Sequence, residues 1–366
     1  MAVTLADVAV RAGVSAATVS RVLNGNYPVA GATRNRVLRA VEELEYVVNG
    51  PASALAAATS DLVGVLVNDI ADPFFGIMAG AVQSEIGEPA ADRGGPKLAV
   101  VCNTGGSPER ELHFLTLLQR QRAAAVVLTG GALEGGDHRA ALTTRLNRLE
   151  AAGAQVVLCG RPPLEGTDFP AITFDNRAGA RLLTEHLLTL GHRRLGYLAG
   201  PAARTTTRHR LEGHRAALAA AGLDQDAERL TVRGSYDRAA GYEGALELLR
   251  REPELTAIVA ANDTVALGAC AALRDKGVRI PDDVSVAGFD DLPFAVDATP
   301  GLTTVRLPLH EAGARAGRLA LGREEAPPGA PITCPGELML RGSTAAPGRR
   351  GAPDRRGLNH GPVGGV

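Results

Sequence analysis

The chain has 366 residues, of which 45% are hydrophobic, 22% charged and 3% aromatic, and its formal net charge is -1. These proportions describe two or three globular domains; they exclude a collagen, a wholly disordered chain and a nucleic-acid coat protein, yet leave room for a small basic face on one domain. No run approaches the roughly 18 to 20 uncharged apolar residues that span a bilayer, and Asp7 and Arg11 interrupt any signal-peptide core, so a cytoplasmic protein with no membrane partner is expected. From Met1 to Tyr46 the pattern is one of three short helices with no strand-like run. Thr4 with Asp7 three residues later makes a capping-box-like start; Leu5, Val8 and Ala12 keep helical spacing, and Gly13 is a natural stop. Ser15 can cap a second helix that carries Val19, Val22 and Leu23 on one face and ends at Asn24-Gly25. In a third helix Val37, Leu38, Val41 and Leu44 are expected to form the buried stripe, with Arg34, Arg36 and Arg39 on other faces.

A segment of small residues, about Asn49 to Ser60, leads into apolar runs of strand length that alternate with amphipathic runs of helix length. Strands are predicted at LVGVLVND from Leu62, KLAVVCNT from Lys97, AAAVVLTG from Ala123 and AQVVLCG from Ala154. A second series is predicted to open with AITFDN at Ala171 and to continue with RLGYLAG at Arg194, ERLTVRG at Glu228, AIVAAND at Ala257 and SVAGFDD at Ser285. Each run is nearly all apolar, as a parallel strand covered by helices on both faces requires. The fold class is therefore α/β: an N-terminal three-helix unit followed by two doubly wound parallel-sheet lobes. Ligands in such sheets sit beyond the carboxyl ends of the strands. EIGEPAADRGG from Glu85 places Pro89 where a helix should run, which implies a kink or an early stop.

Catalytic signatures are missing. There is no G-x-G-x-x-G after a strand, no G-x-x-x-x-G-K-[ST], no G-x-S-x-G and no H-E-x-x-H, and Gly130, Gly131, Gly135 and Gly136 have the wrong spacing to cradle a pyrophosphate. His209 and His214 are five apart on a predicted helix and so fall off a common face, which favours solvated or packed histidines. Cys102, Cys159, Cys270 and Cys334 stand far apart and read as buried reduced thiols. Asp290-Asp291 after a strand reads either as catalytic carboxylates or, equally well and without a metal or nucleophile that the sequence does not show, as a hydrogen-bonding pair for a polar ligand. No enzyme, metal or cofactor is expected.

Two short helices joined by a tight turn at Gly13-Val14 form a helix-turn-helix, whose second helix can enter a major groove about 12 Å wide; the alternative on spacing alone is a small helical bundle used for protein contact. TLADVAVRAGVSAATVSRVLNG from Thr4 to Gly25, then Thr33-Arg34 and LEYVVN from Leu44, resemble the DNA-binding headpiece of the LacI/GalR repressors. DPFF at Asp72, DNRAGARLLTEHLLTLGHRRLGYLAGP at Asp175, RLEGHRAAL at Arg210, ANDTVALGA at Ala261, IPDDVSVAGFDD at Ile280, LTTVR at Leu302 and LMLRGST at Leu338 resemble that family's effector-binding core. The resemblance covers about residues 3 to 345. It implies a homodimeric regulator of transcription, a repressor, that binds a palindromic double-stranded operator. It also implies that a small polar effector, a sugar or nucleoside, binds between the lobes and changes DNA affinity. A periplasmic-type solute-binding protein shares the core but not the headpiece.

The family's DNA-contacting positions map onto Thr4, Ser15, Ala16, Ala17, Thr18, Ser20, Arg21, Asn24, Thr33 and Arg34. Ala16 and Ala17 can only touch a thymine methyl or leave room, so direct readout falls mainly on Arg21, whose fork suits guanine O6 and N7. Asn49 to Ala58 matches a hinge helix that pushes Leu55 into the minor groove. The hinge departs from the family pattern, with Val48 where proline is common, Ser53 where arginine is common and Gly50-Pro51 as an unusual entry. Effector positions map onto Phe74, Phe75, Arg161, Arg210, Tyr236, Asn262 and Asp290, with Arg210 and Asp290 expected to grip the ligand from opposite sides. The alternative for Phe74 and Phe75 is that they are simply core, and for Asn262-Asp263 that they cap a helix. The implied division is headpiece 1–48, hinge 49–60, N-terminal lobe 61–160 with 305–322, C-terminal lobe 161–304 with 323–345, and a disordered tail 346–366.

Overall fold

The structure is a computed structural model and describes residues 3–24, 28–46, 60–87, 97–327 and 329–348. The chain divides into two units, Met1–Asp61 and Leu62–Val366. The hinge positions Val48, Gly50, Pro51, Ser53 and Leu55, together with Pro89 and residues 349–366 of the tail, lie outside the described residues.

The first unit contains α1 (Leu5–Ala12), α2 (Ala16–Asn24) and α3 (Gly31–Glu43). Thr4 and Asp7 close a capping box: the Asp7 amide donates to Thr4 Oγ1 at 3.3 Å and the Thr4 amide to Asp7 Oδ2 at 2.8 Å. Gly13 ends α1 in the left-handed region at φ 65°, where it has no Cβ to clash. Ser15 caps the next helix, its Oγ accepting from the Thr18 amide at 3.2 Å. Val8, Ala12, Val19, Val22, Val37 and Ala40 are buried together. The stripe of α3 differs from expectation at Leu38, which is 44% exposed. Position 38 lies one residue, about 100°, round from Val37, and the core-facing row is Val37, Ala40, Val41 and Leu44.

The second unit alternates strands and helices. In chain order it has β1 (Leu62–Val67), α4 (Pro73–Gly87), β2 (Leu98–Asn103), α5 (Pro108–Arg120), β3 (Ala125–Thr129), α6 (Gly136–Ala151), β4 (Gln155–Cys159) and β5 (Ala171–Phe174). Then follow α7 (Asn176–Thr189), β6 (Leu195–Ala199), α8 (Thr205–Ala220), β7 (Thr231–Arg233), α9 (Arg238–Arg251), β8 (Ala257–Ala260), α10 (Asp263–Asp275) and β9 (Ser285–Ala287). The chain continues through α11 (Phe294–Asp297), β10 (Thr304–Arg306), α12 (Leu309–Ala320), β11 (Ile332–Cys334) and β12 (Glu337–Met339). All nine apolar runs are strands.

One sheet has the order β11-β5-β4-β3-β1-β2, every pairing parallel, and a second has β7-β6-β8-β9, also parallel. β10 and β12 pair antiparallel, with Val305 opposite Leu338. The lobe boundaries drawn from the sequence are corrected here. β5 joins the first sheet, with Cys159 opposite Ile172, and β11 joins it through Ile332 opposite Ile172. No helix separates β4 from β5, so Ala171 does not begin a new βα series; the loop 160–170 returns the chain to the same sheet. Val65, Val127 and Val157 of one lobe and Tyr197, Val259 and Ala287 of the other are all nearly or wholly inaccessible, as double coverage by helices demands.

Candidate functional site: a DNA-reading helix and an interlobe cavity

On the first unit, Thr4, Ser15, Ala16, Ala17, Arg21 and Arg34 are exposed and Thr18, Ser20 and Thr33 half-buried. Ser15, Thr18, Arg21, Thr33 and Arg36 line one crevice. The Ser15 and Thr18 hydroxyls lie 2.9 Å apart, and Thr4 Oγ1 donates to Asp7 at 2.7 Å, so these side chains stiffen helix starts while presenting them to solvent. The start of a helix offers unpaired N–H groups suited to phosphate oxygens. Asn24 closes α2.

In the second unit a cavity of about 710 Å³ lies between the lobes, beyond the carboxyl ends of β1, β2 and β3 on one side and β6, β7, β8 and β9 on the other. Six of the seven effector positions line it: Phe74, Phe75, Arg210, Tyr236, Asn262 and Asp290. Phe74 and Phe75 meet edge to face at 5.0 Å and are half-buried, packing on the core with one side and facing the cavity with the other. Tyr236 places its hydroxyl 2.7 Å from Thr207 Oγ1. Asn262 Oδ1 accepts from the Val265 amide at 2.8 Å, so it caps α10 as well as bordering the cavity.

Arg210 and Asp290 do not face each other across a gap. Arg210 Nη2 donates to Asp290 Oδ1 at 2.6 Å, and the two side chains are 3% and 4% exposed. The guanidinium also donates to Asn176 Oδ1 (2.7 Å) and Ala261 O (2.5 Å) and lies 3.9 Å over the Phe289 ring. Burial pushes the Asp290 carboxyl up to about 6, against the pull of Arg210. The arginine is thereby fixed in one orientation, with a carboxylate beside it, and the pair can exchange complementary hydrogen bonds with vicinal hydroxyls.

Asp291 does not share that task. Its carboxylate accepts from Arg306 Nε at 2.8 Å and Arg341 Nη2 at 2.6 Å, both outside the cavity lining. Asp263 supports the turn from below, accepting from the Leu292 amide (2.7 Å) and Thr304 Oγ1 (2.6 Å); burial and the neighbouring Asp290 push it up to about 8.

Arg161 is corrected: it does not reach the main cavity. It is 4% exposed and donates through Nη2 to Glu111 Oε1 at 2.5 Å and Thr129 O at 3.3 Å. Burial would raise the Glu111 carboxyl, yet Arg161 and His138, whose Nε2 lies 2.9 Å from Glu111 Oε2, hold it at about 2. An arginine just past a strand looks like a ligand contact in the sequence, but a buried glutamate from α5 captures it. His209 and His214 part company. His214 is buried, stacked on Tyr197 and pushed down to about 3 by burial, whereas His209 is half-exposed. The four cysteines are free; Cys102 and Cys159 are buried, Cys270 and Cys334 only half so. Sequence reasoning missed Asp72 and Arg204, both at the cavity wall. DPFF contained the signal for Asp72, since an aspartate before Pro73 caps α4, its Oδ1 accepting from the Phe74 amide at 2.9 Å. Among the described residues no helix is long and apolar enough to cross a membrane.

Residues 4–49 match the family described as bacterial regulatory proteins, lacI family, and residues 184–344 match the periplasmic binding protein-like domain. The HTH-type transcriptional regulator GalS of Salmonella typhimurium is 39% identical over 320 residues, spanning 87% of this chain and 89% of that protein. The HTH-type transcriptional regulator GalR of Escherichia coli is 37% identical over 318 residues, spanning 87% and 88%. A solved complex of the transcriptional regulator CelR with cellobiose shares 33% identity, 93% of this chain and 99% of its own, at a TM-score of 0.65. The lac repressor dimer bound to operator and the anti-inducer ONPF shares 29% identity, 94% and 100%, at a TM-score of 0.75. A helix-turn-helix that reads DNA, a two-lobed core built around a cavity lined by aromatic and charged side chains and relatives of this identity over most of the chain lead to one assignment: the protein belongs to the LacI family of bacterial transcriptional regulators.

Proposed function

We propose that this regulator is a cytoplasmic homodimeric repressor of a palindromic operator, and that its effector is a carbohydrate bound between the lobes by Phe74, Phe75, Arg210, Tyr236, Asn262 and Asp290. The observation that carries the reading is the buried Arg210–Asp290 pair set in a cavity wall beside aromatic rings. A sugar presents hydroxyls that donate and accept at once, matching a guanidinium beside a carboxylate, and a C–H face that packs on an aromatic ring. The cleft binds and does not turn its ligand over, because Asp290 is already engaged by Arg210 and is not poised as a free base. On DNA, Arg21 supplies direct readout, and the helix starts at Thr4 and Ser15 supply phosphate contacts.

A thermal-shift screen with neutral mono- and disaccharides, sugar phosphates and nucleosides tests the effector class. A sugar at 100 times its dissociation constant should add about 2.7 kcal/mol of stability, and the same sugar should change operator affinity by fluorescence anisotropy. Stabilisation by nucleosides alone, or by a sugar that leaves operator affinity unchanged, overturns the reading.

A further inference from the structure

One flank of the interlobe cavity is stitched across the lobes. The loop after β3 runs beside the loop after β6: the Thr205 amide donates to Ala132 O at 3.0 Å, the Ala132 amide to Thr205 Oγ1 at 3.0 Å and the Glu134 amide to Ala203 O at 2.8 Å. Leu133 and Arg204 form an antiparallel bridge within this seam. The Arg204 guanidinium then spans two loops of the other lobe, Nη1 donating to Gly131 O at 3.1 Å and Nη2 to Gly106 O at 2.9 Å.

The glycines here have a use that phosphate binding did not give them. A Cβ on Gly131 would stand 2.1 Å from Thr206 Oγ1, and one on Gly106 would stand 2.9 Å from Arg204 Nη2. At Gly131 only glycine lets the two lobes approach this closely, whereas Gly106 is favoured by its φ of 73°. Elsewhere on the rim the arrangement differs. Among the described residues no hydrogen bond or ion pair is found between Asp69–Phe75 of one lobe and Ser235–Arg238 of the other, although both segments line the cavity.

We propose that Arg204, with the paired segments 131–134 and 203–205, is a latch that positions the two lobes on one flank of the cleft and leaves the unbonded rim as the route by which effector enters and leaves. Arg204 is a positioning residue that acts through the carbonyls of Gly106 and Gly131. When the lobes part on this flank, several backbone groups lose their partners together, so the seam holds or opens as a unit. The exposed Arg208–Glu134 pair at the edge of the seam, at 2.6 Å, adds little because solvent screens it. The route for effector rests on the function proposed above, whereas the seam itself does not.

Hydrogen–deuterium exchange on the full chain without any sugar tests the latch at the amides of Ala132, Glu134 and Thr205. They should exchange slowly in the wild type. Arg204→Ala, which loses two hydrogen bonds at roughly fivefold each in the opening equilibrium, should speed them roughly 25-fold, and Gly131→Ala, which pushes a Cβ into Thr206, should speed them as well. Amides inside β3 and β6 should stay protected, and Arg204→Lys, which cannot fork to two carbonyls, should fall between wild type and alanine. If Gly131→Ala fails to fold, Arg204→Ala decides alone. Seam amides that exchange freely in the wild type, or as slowly in the variants as in the wild type, overturn the latch, as does faster exchange spread equally through β3 and β6. Because no ligand is present, failure of every sugar to bind would leave this result standing.

Discussion

Replacing Asp290 with alanine removes one half of a buried ion pair while the other half stays in place. Arg210 is 2% exposed and is held by Asn176 Oδ1, Ala261 O and the face of Phe289, so it cannot swing out to water when its carboxylate partner is deleted. Orphaning one partner of a buried pair costs about 3–5 kcal/mol. The carboxyl sits at about 6, so its ionised form is itself held at a disadvantage by burial, and its removal relieves part of that strain. Alanine must also adopt the φ of 107° found at this position, which aspartate and asparagine tolerate better. These two effects oppose each other, so the expected cost stays at about 3–5 kcal/mol for Asp290→Ala, and about 1 kcal/mol for Asp290→Asn, whose amide oxygen can still accept from Arg210. Urea unfolding of the core followed by circular dichroism measures both costs. Calorimetry with the sugar found by the screen should show effector binding abolished in the alanine variant, while operator affinity measured by anisotropy stays near that of the wild type. An alanine variant that keeps wild-type stability or wild-type effector titration would refute the reasoning.

Arg21→Ala should cost roughly 1 to 3 kcal/mol of operator binding and relax preference at one base position per half-site; equal loss on every sequence would make Arg21 a phosphate contact instead. Asp290, raised to about 6 from an ordinary value of about 3.9, contributes stability that is fully present below about pH 4 and lost as pH rises through 6. Glu111, held at about 2, has the opposite sign: its contribution is present above about pH 4.3 and lost as pH falls toward 2, so Glu111→Gln should flatten the acid limb of a pH–stability curve. Effector affinity should fall as pH drops through 6, because a protonated Asp290 is a poorer acceptor for a sugar hydroxyl, and calorimetry that shows it rising would contradict the site. Gly268→Ala places a Cβ 2.1 Å from Arg238 O where α10 crosses α9, and should lower core stability by about 1–3 kcal/mol in urea melts.

What the sequence shows about this protein depends on how far apart the interacting residues stand. The Thr4–Asp7 box, the Gly13 stop and the Ser15 cap join groups within one turn of backbone, and each is readable from spacing alone. The nine parallel strands predicted from apolar runs are equally legible, since a strand covered on both faces is rich in apolar residues. The cavity residues were found through the motifs that resemble a family, because no local pattern distinguishes Arg210 from any other arginine on a helix. Arg161 shows the limit. Its place after β4 gave no sign of its direction, which Glu111, fifty residues earlier, decides by offering a buried carboxylate. The same holds for β5, whose composition suits either sheet and whose membership is set by hydrogen-bond partners on β4 and β11. Sequence by itself determined the helix-turn-helix, the βα alternation and the chemical types available at the strand ends. Tertiary structure decided which charges meet, which glycines let the lobes touch and which sheet a short strand joins, because the energy of a buried ion pair or a paired backbone amide depends on a partner that chain proximity does not specify.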